Sequence, residues 1–162
     1  MTAVATRLAR PDDVERLAAL LGEVENIYRP DRPVAPALLA SRVGAALFGP
    51  RPVAEALLAV AGGRAAGFAF FSPFFPTFAG GTGLLLKELF VTETLRRRGV
   101  ARALLAGLAR EAIARGWDRI EFSTGTDNPV AQAAYAALGV PLHEHVPYRV
   151  AGDALARLAA QS

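Results

Sequence analysis

Cysteine is absent from the 162-residue chain. That excludes a disulfide framework, a thiolate zinc site, an iron–sulfur cluster and a cysteine nucleophile, so any catalysis has to run on oxygen and nitrogen groups. Lysine is nearly absent too: of 18 basic residues, all but Lys87 are arginine. Against 15 acidic residues they leave a net charge of +3, a weak steering field, and no basic stripe is interleaved with stacking aromatics. A nucleic-acid partner is not expected. The only histidines, His143 and His145, flank Glu144 and make no recognised zinc set, so no metal is expected and the pair reads as surface or substrate pocket. Residues 65–86 carry no charge over a length that could cross a bilayer, but Gly67, Pro73, Pro76, Gly80, Gly81 and Gly83 cut the run into two apolar strands around a loop. No membrane partner is expected. The opening MTAVATRLARPDD lacks the apolar stretch of a secretory signal, and the expected location is the cytoplasm.

Apolar residues make up 52% of the chain and charged ones 20%, which is material for a core rather than for disorder, and the length suits one domain over residues 1–162. Residues 3–9 are β-capable. Pro11, Asp12 and Asp13 supply the proline and carboxylates of a helix start, and Val14, Leu17, Leu21, Val24 and Tyr28 then recur at helical steps up to Arg29 and Pro30. A second helix is predicted over 35–48, closed by Gly49 and Pro50. Strands are predicted over 53–60 and 65–72 around a Gly62-Gly63 turn, followed by a loop over 73–82 rich in Pro, Phe and Gly. A fourth strand over 84–91 puts Leu84, Leu86, Glu88 and Phe90 on one face and Leu85, Lys87, Leu89 and Val91 on the other. A helix over 98–115, a strand over 119–124, a helix from Asn128 to Gly139, a last strand over 142–150 and a short helix over 153–160 complete a mixed α/β order.

The join LFVTETLRRRGVARALL has the makings of an anion cradle. Arg96, Arg97 and Arg98 stand in a short loop, and the small residues Gly99 and Ala101 leave the free N–H groups of a helix start, that of Val100 among them, open to phosphate oxygens. The G-x-x-x-x-G-K-[ST] and G-x-G-x-x-G spacings are both missing, so nucleotide hydrolysis and Rossmann binding lose support. An arginine-rich helix start without a ligand reads the same way. Asn128 and Tyr135 lie seven positions apart, two turns along one helical face, where both can touch one extended ligand. A helix cap and a half-buried core tyrosine explain them equally well.

Together these segments resemble the GCN5-related N-acetyltransferase (GNAT) family, whose acetyl-coenzyme A motif Q/R-x-x-G-x-G/A stands here as Arg96-x-x-Gly99-x-Ala101. The strand before it and the Asn128, Tyr135, Gly139 helix after it extend the likeness over most of the chain. The resemblance implies an α/β fold with a central, mostly antiparallel twisted sheet, splayed between strands 4 and 5 and flanked by helices. It implies acetyl-CoA as cosubstrate, its diphosphate held by N–H groups of Arg96, Arg97, Arg98, Gly99, Val100 and Ala101. Pantetheine would pair with the fourth strand at Leu89, Phe90 and Val91, where a bulge turns N–H groups near Leu89 to the thioester carbonyl. Asn128 would contact the coenzyme and Tyr135 would point at the sulfur. From Phe68 onward the aromatic loop, the K-E-L-F-V strand and the Tyr148-Arg149 pair are most similar to the diamine and thialysine acetyltransferase branch, which implies a homodimer. Those enzymes commonly place carboxylates where Lys87 and Val146 stand here, which argues against a polyamine and leaves a less charged amine or an amino acid.

An alkyl amine of pKa about 10.4 is protonated roughly a thousand to one at neutral pH, so a base or desolvation has to free its lone pair. Glu88 is the candidate base; the plain alternative is a polar residue on a half-exposed strand. With the resemblance in hand, Tyr135 is the candidate acid that protonates the departing thiolate. The sequence thus predicts an enzyme, an acetyl-CoA-dependent N-acetyltransferase acting by direct transfer on the primary amine of a small molecule such as a diamine or amino acid. A protein or peptide amine, or an antibiotic, is the alternative acceptor. A non-catalytic acyl-CoA sensor is the alternative of another class.

Overall fold

β1 (Val4–Leu8), β2 (Glu55–Ala61), β3 (Arg64–Phe74), β4 (Gly83–Val91) and β5 (Ile120–Glu121) lie in that order in one sheet. The first four run antiparallel and β5 runs parallel to β4. The computed structural model describes residues 4–77, 80–144 and 146–161, so Phe78 of the aromatic loop and His145 lie outside the described residues. Gly62 and Gly63, at φ 57° and 77°, make the turn from β2 to β3 in a region that side chains avoid. β3 runs further than its sequence predicts and takes in Pro73, which pairs with Leu84 of β4. The ladder with β2 ends at Phe71, so the N–H that proline lacks is not missed. β5 holds two residues of the longer strand expected there.

Helices cover both faces of the sheet. On one, Leu17, Leu20 and Val24 of α1 (Val14–Tyr28) and Leu39 and Val43 of α2 (Pro36–Phe48) pack against Leu58, Phe68 and Phe90. On the other, Leu104 and Leu108 of α3 (Val100–Ala114) pack against Leu57, Phe71, Leu84 and Leu86. Each of these Leu or Phe side chains contributes about 1.5–3 kcal/mol on leaving water. A strict two-residue alternation fails inside β4. Phe70 pairs with Glu88 but Phe71 pairs with Leu86, so Lys87 is an extra residue and the strand bulges there. Leu84 and Leu86 therefore belong to the α3 side while Phe90 belongs to the α1–α2 side, and the face predicted to carry all of them with Glu88 does not exist.

Two ion-pair clusters pin the ends of elements. Asp13, buried where a 3-10 turn (Pro11–Asp13) leads into α1, takes both guanidinium nitrogens of Arg7 at 2.6 and 2.8 Å and the Arg10 N–H at 2.9 Å. Those donors hold its carboxyl well below the usual carboxylate range and tie β1 to α1. At the end of α3, Arg115 donates to both oxygens of Glu55 at 2.6 and 2.7 Å and stacks 4.8 Å from the Trp117 ring.

The chain divides into two units, Met1–Ser123 and Thr124–Ser162, and the sheet lies in the first. The second unit holds α4 (Pro129–Ala137) and α5 (Asp153–Ala159). The strand predicted over 142–150 is not formed among the described residues. Pro141 and Pro147 remove ladder donors there, and Leu142, Val146 and Tyr148 are exposed rather than packed on a sheet face.

Candidate active site

β4 ends at Val91 and the chain reaches α3 through a 3-10 turn, Glu93–Leu95. The Leu95 N–H bonds the Thr92 carbonyl at 3.0 Å and the Arg96 N–H that of Glu93 at 3.2 Å, while Arg96 Nε folds back on the Val91 carbonyl at 3.2 Å. Arg97 then takes φ 59°, a region that costs a non-glycine residue about 1–2 kcal/mol, and Gly99 takes φ 81° without that cost. No side chain caps α3, so the N–H groups of its first turn are left without intrahelical partners at the positive end of the helix dipole. Val100 is buried and anchors this turn in the α3-side core, whereas Ala101 is exposed. Among the described residues no carboxylate pairs with Arg97 or Arg98.

β4 offers a second open surface. Its ladder with β5 consists of Leu84 with Ile120 and Leu85 with Glu121. Beyond Leu85, across the bulge at Lys87 and on through Leu89, Phe90 and Val91, β4 has no strand partner on that side among the described residues. This is the splay that the resemblance implies. The Phe90 side chain is buried toward α1 and α2, so what Phe90 can offer a ligand is its main chain. Glu88 stands opposite Phe70, on the same face as the Phe68, Phe70 and Phe90 rings. Burial among them pushes its carboxyl above the ordinary range, and the charge of Lys87 pulls in the opposite direction by less.

Asn128 and Tyr135 belong to the second unit. Asn128 caps α4, its Oδ1 accepting the Ala131 N–H at 3.1 Å. Tyr135 lies two turns on, and its carbonyl accepts the Val140 N–H at 3.1 Å as the chain leaves the helix at Gly139, φ 72°. His143 lies in the irregular stretch after α4. Among the described residues no three His, Cys, Asp or Glu side chains are grouped to hold a metal, and no helix is long and apolar enough to cross a membrane.

A strand with an open edge that leads into an uncapped helix through Arg96-x-x-Gly99-x-Ala101 is matched in sequence as well: a model of the Acetyltransferase (GNAT) family covers residues 21–140. The chain belongs to this family. The L-ornithine N5-acetyltransferase of Arabidopsis thaliana is 32% identical over 91 residues, which make up 56% of this GNAT chain and 40% of that protein. The match therefore spans less than half of that relative. An integron cassette protein from the mobile metagenome of V. cholerae superposes with a TM-score of 0.90 at 25% identity, over 99% of this chain and 100% of its own. The aminoglycoside N-acetyltransferase AAC(6')-Iy in complex with CoA shares the GNAT fold, with a TM-score of 0.73 at 21% identity over 92% of this chain and 95% of its own.

Sequence reasoning passed over two residues beside this site. Thr92 Oγ1 donates to Glu23 Oε2 at 2.9 Å across 69 positions, and no local pattern announces such a pair. Glu23 also edges a cavity of about 290 Å³ between α1 and α2, together with Glu25 and Asn26. Glu25 Oε2 is buried there without a hydrogen bond, 3.8 Å from the Arg29 guanidinium.

Proposed function

We propose that this chain is an acetyl-CoA-dependent N-acetyltransferase that passes the acetyl group directly to the primary amine of a small molecule. The observation that carries the reading is the run of open main chain from the unpaired edge of β4 into the uncapped start of α3. The residues fit a diphosphate there: a Cβ built on Gly99 meets nothing within 4 Å, so the backbone faces open space, and Arg97 and Arg98 lack carboxylate partners among the described residues. When bound, acetyl-CoA supplies an activated thioester.

In this reading N–H groups of Arg96, Arg97, Arg98, Gly99, Val100 and Ala101 hold the diphosphate oxygens. Main-chain groups of Leu89, Phe90 and Val91 pair with the pantetheine arm, and N–H groups beside the bulge steady the carbonyl oxygen where negative charge develops. Glu88 takes the ammonium proton, directly or through water, and its raised pKa brings it closer to the neutral pH at which a base works best. Tyr135 protonates the departing thiolate and Asn128 contacts the coenzyme; both roles rest on the resemblance. The carboxylate of Glu25 at the α1–α2 cavity favours a cationic acceptor over an acidic one, which suits a diamine or amino acid. By their names the relatives act on L-ornithine and on aminoglycosides. The same proposal has the chain as one acetyltransferase domain, working in the cytoplasm as a homodimer.

The test is thiol release from acetyl-CoA over a panel of amines, amino acids, aminoglycosides and peptides, with Tyr135→Phe beside the wild type. A chain without cysteine adds no thiol background. The expected result is turnover on a small amine that falls about 10²-fold or more in the variant, as when a general acid is lost. CoA binding with no release on any acceptor overturns the enzyme reading in favour of an acyl-CoA sensor.

A further inference from the structure

Between β4 and α3 the chain has to hold a row of N–H groups in one place without a strand or helix to do it. The described bonds inside the segment span five residues or fewer, as in the turn at Leu95 and the Arg96 Nε bond to Val91, and residues 96–99 are exposed. Its point of departure is Thr92, which is held from outside the segment at two atoms. The Thr92 N–H bonds the Ala66 carbonyl of β3 at 3.1 Å, and its Oγ1 donates to Glu23 Oε2 of α1 at 2.9 Å. Among the described residues no other side-chain hydrogen bond joins α1 to β4 or to the segment after it. Glu23 is a firm anchor because Leu20 and Val24, its neighbours on α1, are buried in the core against Phe68 and Phe90.

We infer that Thr92 and Glu23 form a positioning pair that fixes the origin of the coenzyme-binding loop to helix α1. The inference rests on the reading of residues 96–101 as the diphosphate site. The physical reason is entropic. A loop whose first residue is fixed in side-chain rotamer as well as backbone samples fewer directions before the ligand arrives, so less freedom is lost on binding. Neither side chain is assigned to the reacting atoms, so releasing the pair costs coenzyme affinity and spares the chemical step at saturation.

The experiment measures CoA binding by calorimetry, and KM for acetyl-CoA against kcat, in the wild type, Thr92→Val, Thr92→Ser, Glu23→Ala and the double variant Thr92→Val/Glu23→Ala. Valine keeps the β-branched shape of threonine, and alanine suits an exposed helix position, so the variants fold. Thr92→Val and Glu23→Ala are each expected to weaken CoA roughly five- to tenfold, the upper range for losing one ordinary hydrogen bond, since this one is exposed. kcat stays within about twofold, Thr92→Ser binds as the wild type does, and the double variant is no weaker than either single one. CoA binding by Thr92→Val equal to that of the wild type, failure of serine to restore it, or a double variant whose loss is the product of the single ones overturns the pair while leaving the proposed function standing. A wild-type chain that does not bind CoA overturns both.

Discussion

Glu88 is a carboxylate held among phenylalanine rings, and its protonation equilibrium links turnover to stability in opposite senses. Because its folded pKa is raised by burial, it adds stability that is fully present below the unfolded carboxyl pKa of about 4.3 and is lost as pH rises through the folded value. At neutral pH the ionised form is therefore a cost to the fold, and in the proposed mechanism it is the working form. Glu88→Gln is expected to lower kcat about 10²-fold while melting at or above the wild-type temperature at pH 7, and to remove the acid limb of the pH–rate profile. In the wild type that limb is expected above the ordinary carboxylate range. Paired thermal melts and pH–rate profiles check this; an unchanged rate in Glu88→Gln, or a limb at the ordinary value, excludes Glu88 as the base.

At the level of elements, the turn from β4 into α3 depends on one backbone conformation. Gly99 at φ 81° is free of the penalty that a side chain meets there, about 1–2 kcal/mol. Gly99→Ala is expected to raise the Kd for CoA about tenfold, read by calorimetry, and to lower the melting temperature by roughly 2–8 °C; unaltered binding would separate the α3 start from the coenzyme. This turn was legible in the sequence because glycine and arginine report directly on backbone freedom and charge. The helices were legible for a similar reason, since the apolar steps of α1 and the Asn128 cap of α4 are local signals. The bulge was not. The residues LLLKELFV alternate well enough to hide an extra member, and only the pairing of Phe70 with Glu88 and of Phe71 with Leu86 reveals that Lys87 is it. The last strand failed in the other direction: residues 142–150 have strand-like composition, but Pro147 interrupts their donors and among the described residues no strand pairs with them. Contacts such as Thr92 with Glu23 join distant segments and leave no pattern in either.

Over the whole molecule, burial is unevenly shared. The first unit encloses two cores on opposite faces of its sheet, whereas no described residue of the second unit is buried. Local opening free energy follows buried apolar contact, so hydrogen exchange is expected to be at least about tenfold faster for amides of α4 and α5 than for those of β2, β3 and α3. Exchange followed by mass spectrometry reads it directly, and equal protection in the two units would refute it. The arginine-rich composition bears on the molecule in another way. Lys87 is the sole lysine of the chain and stands exposed at the β4 bulge. Apart from the terminal amine, an amine-directed reagent thus has a single place to react, and under the proposed function acetyl-CoA meets one side-chain amine. A fluorophore or an acetyl group fixed there would sit next to Glu88 and remove the one neighbouring charge that lowers its pKa, so the carboxyl would hold its proton more tightly still. A single lysine thus makes the chain hard to modify by accident and simple to label by design.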